Sequence, residues 1–380
     1  MDVRGDAASM YRCRTAHDCV GEHNMPFLPG LELCRRFYEE AVRPLLERYF
    51  PDLPYAAARI GPGSDVVGFD TEMSRDHDWG PQLQFFLREQ DAPLVPELDE
   101  LFRTQLPHEF AGFQVNFNDE PGMTWKEGPI NHCIALVTPR SYFQARLGYD
   151  IDRPLEVADW LTIPSQKMLE VTAGAVYHDG VGTLTELRTR LSWYPHNLWL
   201  YLLACGWQRL GQEDHLMSRA GFVGDELGSA IIGSRLIRDV MSLCFLMERR
   251  YAPYPKWFGS AFRHLRCAER LWPVLWRTQR STIWQERETA LVEACLVLAQ
   301  MHNALGVTDP LPATVSLFHN RPFQVIDAGV FIEALLEQIN DSEVLRVAER
   351  RLIGSIDQWS DNTDLREAAS WRSRLRTLYE

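Results

Sequence analysis

Long apolar segments are missing from this sequence, and its cysteines are few and scattered. No stretch of about 18 or more uncharged apolar residues occurs, so no segment matches a membrane-spanning helix. The first residues also lack the apolar centre of a secretory signal. Several of the eight cysteines, such as Cys205 and Cys244, lie in apolar helical stretches, which favours buried free thiols over a disulfide framework. We therefore expect a cytoplasmic protein without a membrane partner.

Basic residues are the minority among the charged ones. The chain has 39 Lys and Arg against 52 Asp and Glu, which gives a formal net charge of −13. An evenly acidic surface repels nucleic-acid backbones and anionic lipid, so broad DNA binding is not expected, although a local basic cleft is compatible with this charge. Apolar residues make up 46% of the chain, which has 12 tryptophans. This composition predicts a folded protein with an aromatic core, and 380 residues suffice for two domains.

The first half of the chain mixes helical and strand patterns. Residues 1–24 are polar, and we expect them to be irregular or disordered. Apolar residues at helical spacing predict a helix over Leu31–Tyr49, and residues 81–105 are also predicted to be helical. Strand patterns occur in four segments: Ala56–Ile60, Phe113–Phe117, Ile134–Val137 and Val171–His178.

After about residue 185 the sequence shows helical patterns and no convincing strand pattern. Glycine and proline separate the predicted helices, which span Leu198–Met217, Asp225–Arg250, Lys256–Arg277, Glu286–Met301, Ala328–Ile339 and Ser342–Ile353. The predicted fold class is therefore α+β. A small mixed-sheet domain over residues 25–185 would carry catalysis, and an all-α helical-bundle domain over residues 186–380 would follow it.

One segment, residues 61–80, combines glycines with closely spaced acids. Gly63 allows the backbone to approach a phosphate, and Ser64 with the amides after it can open a helix whose N-terminus attracts a triphosphate. On a strand, residues i and i+2 point to the same face, so Asp76 and Asp78 would project together. Hard Mg²⁺ prefers carboxylate oxygens and keeps several waters, so two or three acids suffice. The segment therefore predicts a magnesium-dependent site for phosphoryl or nucleotidyl transfer.

Ordinary interpretations exist for the acids and the histidine of this segment. A solvated turn is the alternative for Asp76 and Asp78. Asp70 and Glu72 form a rival pair, but no apolar run follows it, so we place it in a connecting loop with Asp70 bonding a backbone amide. His77 alternates away from the aspartates, which favours packing or hydrogen bonding, with a role as a base as the minor alternative.

Gly63-Ser64, followed after eleven residues by Asp76-x-Asp78, resembles the signature of the polymerase-beta-like nucleotidyltransferase superfamily. Gly68 and Ser74 fall where members often carry a glycine and a serine. The runs GSDVVGFDTEMSRDHDWG, GAVYHDGVGTLTELRTRLSWYP, RRYAPYPKWFG and LFHNRPFQVI are more closely similar to the domain-of-unknown-function family 4037 within that superfamily. The resemblance covers most of the chain after residue 30. It implies a mixed-sheet nucleotidyltransferase domain and a helical bundle that helps to close the site.

The resemblance also implies a third carboxylate on a neighbouring strand. The expected strand, Asn131–Thr138, contains no acid. Asp179 is a substitute candidate, although it also matches an aspartate in a turn at the end of a strand. Asp119 and Glu120 are further options, and the sequence does not choose among the three.

Cations and polar clusters outside the segment are candidates for ligand contacts. Lys256 and Arg188 are the nucleotide-binding candidates, and Arg235 is a further one. The alternative for Lys256 is a solvated loop lysine, and Arg188 and Arg235 have a similar ordinary alternative. The cluster His319-Asn320-Arg321 could hold acceptor or phosphate, or could cap a loop. A zinc site is disfavoured because the spacing matches no common finger; its residues would be Cys13, His17, Cys19 and His23.

These features together predict a magnesium-dependent nucleotidyltransferase that moves a nucleoside monophosphate from an NTP to a hydroxyl and releases pyrophosphate. ATP is the expected nucleotide, and one or two Mg²⁺ ions would be held by Asp76 and Asp78. Asp179 would bind the second metal or accept the proton of the attacking hydroxyl. The acidic charge favours a small-molecule acceptor over tRNA or protein. The missing acid leaves open a non-catalytic, nucleotide-binding regulatory protein on a decayed transferase fold, and a metal-dependent phosphoester hydrolase is a third hypothesis.

Overall fold

A computed structural model describes residues 27–76, 79–117 and 128–380, without the side chains of Arg75 and Asp76. The chain forms two units. The first, the sheet unit, contains the described residues up to Pro154 together with Lys167–Ser192, and the second, the helical unit, contains Leu155–Gln166 and Trp193–Glu380. The chain therefore contributes a short segment to the helical unit before it completes the sheet unit, an excursion that the sequence did not predict.

The strands of the sheet unit form a four-stranded mixed sheet and a short hairpin. They are β1 (Tyr55–Arg59), β2 (Gln82–Leu87), β3 (Glu109–Phe110), β4 (Phe113–Gln114), β5 (Cys133–Val137) and β6 (Ala175–Asp179). The order in the larger sheet is β5-β2-β1-β6, and β3 pairs with β4. β1 runs antiparallel to both β2 and β6, whereas β2 runs parallel to β5. The small mixed sheet of the predicted α+β fold is confirmed.

Helices cover the central strands of this sheet. The helices of the first half are α1 (Gly30–Phe37), α2 (Arg43–Tyr49), α3 (Val95–Gln105), α4 (Pro139–Leu147), α5 (Val157–Thr162), α6 (Ser165–Thr172) and α7 (Thr183–Arg190). A π-helical segment joins α1 to α2, so the predicted helix over Leu31–Tyr49 is confirmed. All five residues of β1 are buried, because a central strand covered on both faces needs apolar residues without alternation. Phe37, Phe85 and Phe102 belong to the core between helices and sheet.

The helical unit is built around three long helices, α8, α9 and α12. Besides α5, its helices are α8 (His196–Phe222), α9 (Glu226–Met247), α10 (Pro255–Phe262), α11 (Ala268–Arg280), α12 (Trp284–Leu305), α13 (Ala328–Glu337), α14 (Ser342–Arg350), α15 (Ile356–Trp359), α16 (Thr363–Glu367) and α17 (Arg372–Leu375). Trp207 of α8 is fully buried and stacks on Phe331 of α13 with ring centroids 4.2 Å apart. The large helical C-terminal region that the sequence predicted is confirmed.

Three predicted secondary-structure elements of the first half differ from the structure, and the helix predicted over Lys256–Arg277 is divided into α10 and α11. The helix predicted over residues 81–105 is wrong in its first part, because residues 82–87 form β2. The apolar residues there fit either element, and pairing with two neighbouring strands decides the outcome. The strand predicted over Val171–His178 begins only at Ala175, because α6 extends to Thr172. The strand predicted over Phe113–Phe117 is limited to the two residues of β4.

The prediction that no strand follows residue 185 is also wrong. β7 (Val315–Leu317) and β8 (Gln324–Ile326) form an antiparallel hairpin, and strands of three residues are too short for hydrophobic periodicity to detect. The cysteine prediction holds for the buried free thiols Cys34, Cys205, Cys244, Cys267 and Cys295. It fails for Cys133, which is disulfide-bonded. None of the helices within the described ranges combines the length and the apolar character needed to cross a bilayer. The cytoplasmic location stays a prediction.

A buried histidine in the helical unit makes stability depend on pH. Burial lowers the pKa of His302 to about 4, below the value of about 6.5 for an exposed histidine. The indole N–H of Trp207 donates to Nδ1 of His302 over 3.2 Å, which requires that nitrogen to be unprotonated. The unfolded chain therefore binds a proton at higher pH than the folded chain, and stability is lost as the pH falls from about 6.5 towards 4.

Between pH 7 and pH 5 we expect the free energy of unfolding of the wild type to fall by about 2 kcal/mol more than that of His302→Gln. Urea denaturation at the two pH values measures the difference. His264→Gln, which alters an exposed histidine of the same unit, should keep the wild-type pH dependence. An unchanged pH dependence in His302→Gln would contradict the assignment.

Candidate active site

One edge of the four-stranded sheet collects the end of β1 and the starts of β2, β5 and β6. Ala58 of β1 pairs with Gln84 of β2 in an antiparallel register, so the end of β1 lies beside the start of β2. Arg59 pairs with Ala175, the first residue of β6, and β5 is parallel to β2. Residues 61–68 follow β1 at this edge. We call them the Gly-Ser turn, and we call this edge of the sheet the turn edge.

A buried ion pair attaches the Gly-Ser turn to the end of β1. Arg59 donates from Nε to Oδ2 of Asp65 over 2.7 Å and from Nη2 to Oδ1 over 2.8 Å. Both side chains are only 2% exposed. The same guanidinium donates to the carbonyl oxygens of Ile60 over 3.3 Å and Pro62 over 3.1 Å. Because a two-point pairing fixes orientation as well as distance, this one side chain sets the path of the turn.

The backbone after Ser64 forms successive turns instead of the predicted helix. The N–H of Phe69 donates to the carbonyl oxygen of Ser64 over 2.8 Å, and the N–H of Gly68 donates to that of Asp65 over 3.2 Å. The described residues between β1 and β2 contain a 3-10 helix over Glu72–Asp76 and no α-helix. The predicted helix N-terminus at Ser64 is therefore wrong, because the Arg59–Asp65 pair draws the chain into a turn at this point.

Gly63 occupies a position that no other residue fits. Its φ is +138°, and an added Cβ would lie 2.2 Å from Oδ1 of Asp65 and 2.5 Å from Nη2 of Arg59. Both the backbone conformation and the space taken by the ion pair therefore require glycine. The sequence identified Gly63 from its motif, but the reason for the glycine is the ion pair, which the sequence did not predict.

Arg188 of α7 lies beside the Gly-Ser turn. Its Nη2 donates to the carbonyl oxygens of Thr172 over 2.7 Å and Ala173 over 3.1 Å. The next residue, Gly174, donates its N–H to the carbonyl oxygen of Val66 within the turn over 3.1 Å. The structure therefore brings Arg188, Gly63 and Ser64 to the same edge of the sheet.

No described carboxylate compensates the charge of Arg188. Burial lowers the pKa of its guanidinium, and the nearby Tyr142 hydroxyl opposes that shift. The hydroxyl oxygen of Tyr142 lies 2.9 Å from the position of an added Cβ on Gly61, which again places this region at the turn. Nη1 of Arg188 is buried and has no hydrogen-bond partner among the described residues. A partly buried cation without a counter-ion favours the binding of an anion.

Two further cations, Arg146 and Lys167, lie close to the Gly-Ser turn and share the carboxylate of Glu170. Glu170 accepts hydrogen bonds from Arg146 over 2.7 Å and from Lys167 over 3.3 Å. Its backbone carbonyl oxygen accepts the N–H of Gly61 over 2.7 Å. The sequence did not single out these residues, because no helix was predicted before the strand that was expected to begin at Val171. The i and i+3 spacing of Lys167 and Glu170 was the available sign of helix α6.

The structure does not bring Asp179 to the turn edge. Asp179 ends β6 and pairs with Ala56 near the start of β1, so it lies at the opposite edge of the sheet. Its carboxylate accepts hydrogen bonds from the N–H of Gly182 over 2.8 Å, the N–H of Thr185 over 2.9 Å and the Thr185 hydroxyl over 2.5 Å. These bonds belong to the strand-ending turn that the sequence offered as the alternative, and the placement does not support a metal shared with the Gly-Ser turn.

The metal-binding candidates lie at the margin of the described residues. The backbone of Asp76 ends the 3-10 helix Glu72–Asp76, so the strand predicted around it is wrong. The charged run before β2 has no apolar alternation that would support a strand. His77 and Asp78 lie outside the described residues, as do Asp119 and Glu120. Elsewhere in the described ranges, no group of three or more His, Cys, Asp or Glu side chains is placed to hold a metal. Mg²⁺ binding by Asp76 and Asp78 stays a prediction.

Asp70, the first member of the rival acidic pair, has a structural role. Its Oδ2 accepts the N–H of Gly30 at the start of α1 over 2.6 Å and the indole N–H of Trp79 over 3.4 Å. The prediction that Asp70 bonds a backbone amide is confirmed, although that amide is 40 residues away in the sequence.

The remaining candidates lie in the helical unit or outside the described residues. Lys256 is exposed near the start of α10, with its ammonium 4.9 Å from the ring centroid of Trp257, and its contact with nucleotide stays a prediction. Arg235 pairs with Glu213. His319 and Asn320 have positive φ between β7 and β8, which fits a loop role. The zinc candidates lie outside the described residues: Cys13, His17, Cys19 and His23.

The family described as "Domain of unknown function (DUF4037)" has a model that matches residues 160–258, which confirms the predicted resemblance for that part of the chain. The Gly-Ser turn lies outside the matched range. A comparison with curated protein sequences finds no match. Among solved structures, the chain is similar to a nucleotidyltransferase-like protein from Exiguobacterium sibiricum, with 12% identity and a TM-score of 0.31. That alignment covers 70% of this chain and 77% of the other; so low a TM-score carries no argument about the site.

Two glycines of the turn form a matched pair of test positions. Gly68 has a φ of +79° and no atom within 4 Å of an added Cβ, so Gly68→Ala should cost about 1 kcal/mol from backbone strain alone. Gly63→Ala adds a collision with the ion pair and should cost at least about 2 kcal/mol more. Urea denaturation measures both. Equal losses would show that the Arg59–Asp65 pair does not restrict Gly63.

Proposed function

We propose that this chain is a nucleotidyltransferase that binds an NTP, with ATP the first choice, at the Gly-Ser turn. It transfers the nucleoside monophosphate to a hydroxyl group of an acceptor, and pyrophosphate leaves. The observation that carries the proposal is the uncompensated guanidinium of Arg188 beside a glycine turn whose path is fixed by a buried ion pair. A triphosphate at the turn would act as the counter-ion that Arg188 lacks among the described residues.

We propose a division of roles among these residues. Gly63 lets the backbone approach a phosphate oxygen, and Ser64 lies next to it in the same turn. Asp76 and Asp78 precede β2, whose start lies at the turn edge, and we assign the binding of Mg²⁺ to them. Magnesium would offset negative charge between phosphate oxygens during transfer. Lys256 is retained as a proposed nucleotide contact from the helical unit.

The acceptor is proposed to be a small hydroxylated molecule. The formal net charge of −13 disfavours tRNA, because the acidic surface would repel the polyanion. No residue is assigned as the base that takes the proton of the acceptor hydroxyl, since Asp179 lies at the opposite edge of the sheet.

A non-catalytic nucleotide-binding protein is the second candidate. Three described acids near the Gly-Ser turn have partners: Asp65 pairs with Arg59, Asp70 accepts the N–H of Gly30, and Glu170 pairs with Arg146 and Lys167. Each of these three carboxylates therefore already makes a structural contact, and none of them is assigned as a metal ligand or base. This protein would bind an NTP at the turn without transferring any part of it.

Transfer is tested by incubating the purified protein with each α-³²P-labelled NTP, Mg²⁺ and a cell extract. We expect a labelled extract component, and we expect Asp76→Asn to remove the labelling because one of two proposed metal carboxylates is lost. Glu72→Gln, which changes an exposed acid in the same 3-10 helix, should keep the labelling. NTP binding without label or pyrophosphate would favour the non-catalytic protein, and full turnover by Asp76→Asn would contradict the metal assignment.

The role of Arg188 is tested by NTP affinity. Arg188→Gln should weaken binding by about tenfold or more, the size expected for loss of one hydrogen bond to a charged group. Isothermal titration with each NTP measures the dissociation constant. Arg190→Gln, two residues along α7, removes an exposed arginine whose Nη2 donates to the Ile151 carbonyl oxygen over 3.2 Å. Equal affinities of the two variants would place the triphosphate elsewhere.

A further inference from the structure

A cavity of about 430 Å³ lies within the helical unit, and aromatic side chains form much of its wall. Trp193 and Tyr194 each pack against Tyr251, with ring centroids 4.9 Å and 5.3 Å apart. Phe245 and Phe258 form a second pair, 5.3 Å apart. We call this space the aromatic cavity. Its volume and lining are those of a small-molecule site, in which apolar walls bind the body of a ligand and a few polar groups orient it.

Two buried nitrogen donors among the lining residues have no partner. The indole Nε1 of Trp193 is buried without a hydrogen-bond partner among the described residues, and so is Nε of Arg366. The side chain of Arg366 is only 8% exposed. A buried donor without a partner costs about 1–3 kcal/mol, and more when it is charged. Both residues line the cavity, so a ligand whose acceptor oxygens reach these two nitrogens would satisfy them.

The lining carboxylates, in contrast, already have partners. Asp357 accepts the N–H of Ser165 over 2.7 Å and Nη2 of Arg366 over 2.6 Å. Asp361 accepts Nη1 of Arg238 over 3.1 Å. Arg250 also lines the cavity, and no described carboxylate lies within ion-pair distance of it. Since the acceptors are engaged while donors remain open, the cavity is matched to an anionic ligand more than to a cationic one.

We propose that the aromatic cavity binds a small planar aromatic carboxylate. The ring packs among the aromatic side chains, where offset or edge-on contacts are favourable. The carboxylate accepts hydrogen bonds from the open donors of Trp193 and Arg366. The family match over residues 160–258 includes most of the residues that line this cavity. The proposal does not rest on the proposed nucleotidyl transfer, so its test can fail without affecting that proposal.

Ligand-observed ¹⁹F NMR on the full chain tests the proposal with two probes of opposite charge, 4-fluorobenzoate and 4-fluorobenzylamine. We expect saturable line broadening of 4-fluorobenzoate and clearly weaker binding of 4-fluorobenzylamine. Trp193→Phe keeps an aromatic ring but removes the N–H donor, and should raise the dissociation constant of 4-fluorobenzoate about tenfold. Trp276→Phe, a partly exposed tryptophan of the same unit outside the cavity, should leave it unchanged.

A cavity-filling variant keeps the proposal testable if Trp193→Phe unfolds. Ser242 lines the cavity from α9, and Ser242→Phe should remove the binding of 4-fluorobenzoate, with thermal unfolding used to confirm that each variant is folded. Binding of 4-fluorobenzylamine as tight as that of 4-fluorobenzoate would overturn the proposal. So would wild-type affinity in a folded Trp193→Phe or Ser242→Phe protein.

Discussion

Arg59 and Asp65 meet where almost no water reaches either side chain, and the path of the Gly-Ser turn depends on their contact. Arg59 ends β1 and Asp65 follows Ser64, so the pair closes the chain on itself across five intervening residues. Taking two charges out of water is costly, so the burial of the pair is weak evidence for a stabilising effect, whereas its two-point geometry fixes the orientation of the turn. The pair also occupies the space beside Gly63, where an added Cβ would collide with it. The same carboxylate lies close to Gly30, so the start of α1 is fitted to the pair as well.

Several cations lie around the turn of this acidic protein. The chain carries a formal net charge of −13, yet the turn edge gathers Arg59, Arg146, Lys167 and Arg188. Asp65 pairs with Arg59, and Glu170 pairs with both Arg146 and Lys167, whereas Arg188 has no described carboxylate beside it. Because screening weakens distant charges but acts little on partly buried ones, an anion at the turn would respond mainly to these nearby cations. An acidic protein can therefore offer a site for a triphosphate.

Each of the two units contains an arginine with a buried nitrogen that has no partner among the described residues. At the Gly-Ser turn, one arginine fixes backbone geometry and another is left without a counter-ion. In the helical unit, Arg366 bonds Asp357 with one nitrogen and leaves a second nitrogen unpartnered beside the aromatic cavity. The planar guanidinium permits this division because its donors are fixed in direction and can serve separate partners.

The sequence by itself determined the α+β class, the continuous helix near the start of the sheet unit, the helical second half, and the segment with Gly63 and Ser64. Those features depend on local periodicity and on residue types with few alternatives. The sequence could not separate strand from helix in residues 82–87, because the apolar residues fit both and only pairing with β1 and β5 selects the strand. Asp179 was a plausible ligand by residue type, but the direction of β6 places it at the opposite edge from the turn. The Arg59–Asp65 pair and the position of Arg188 were likewise decided only by the tertiary structure, since the partners of a buried charge are set by which chain segments pack together.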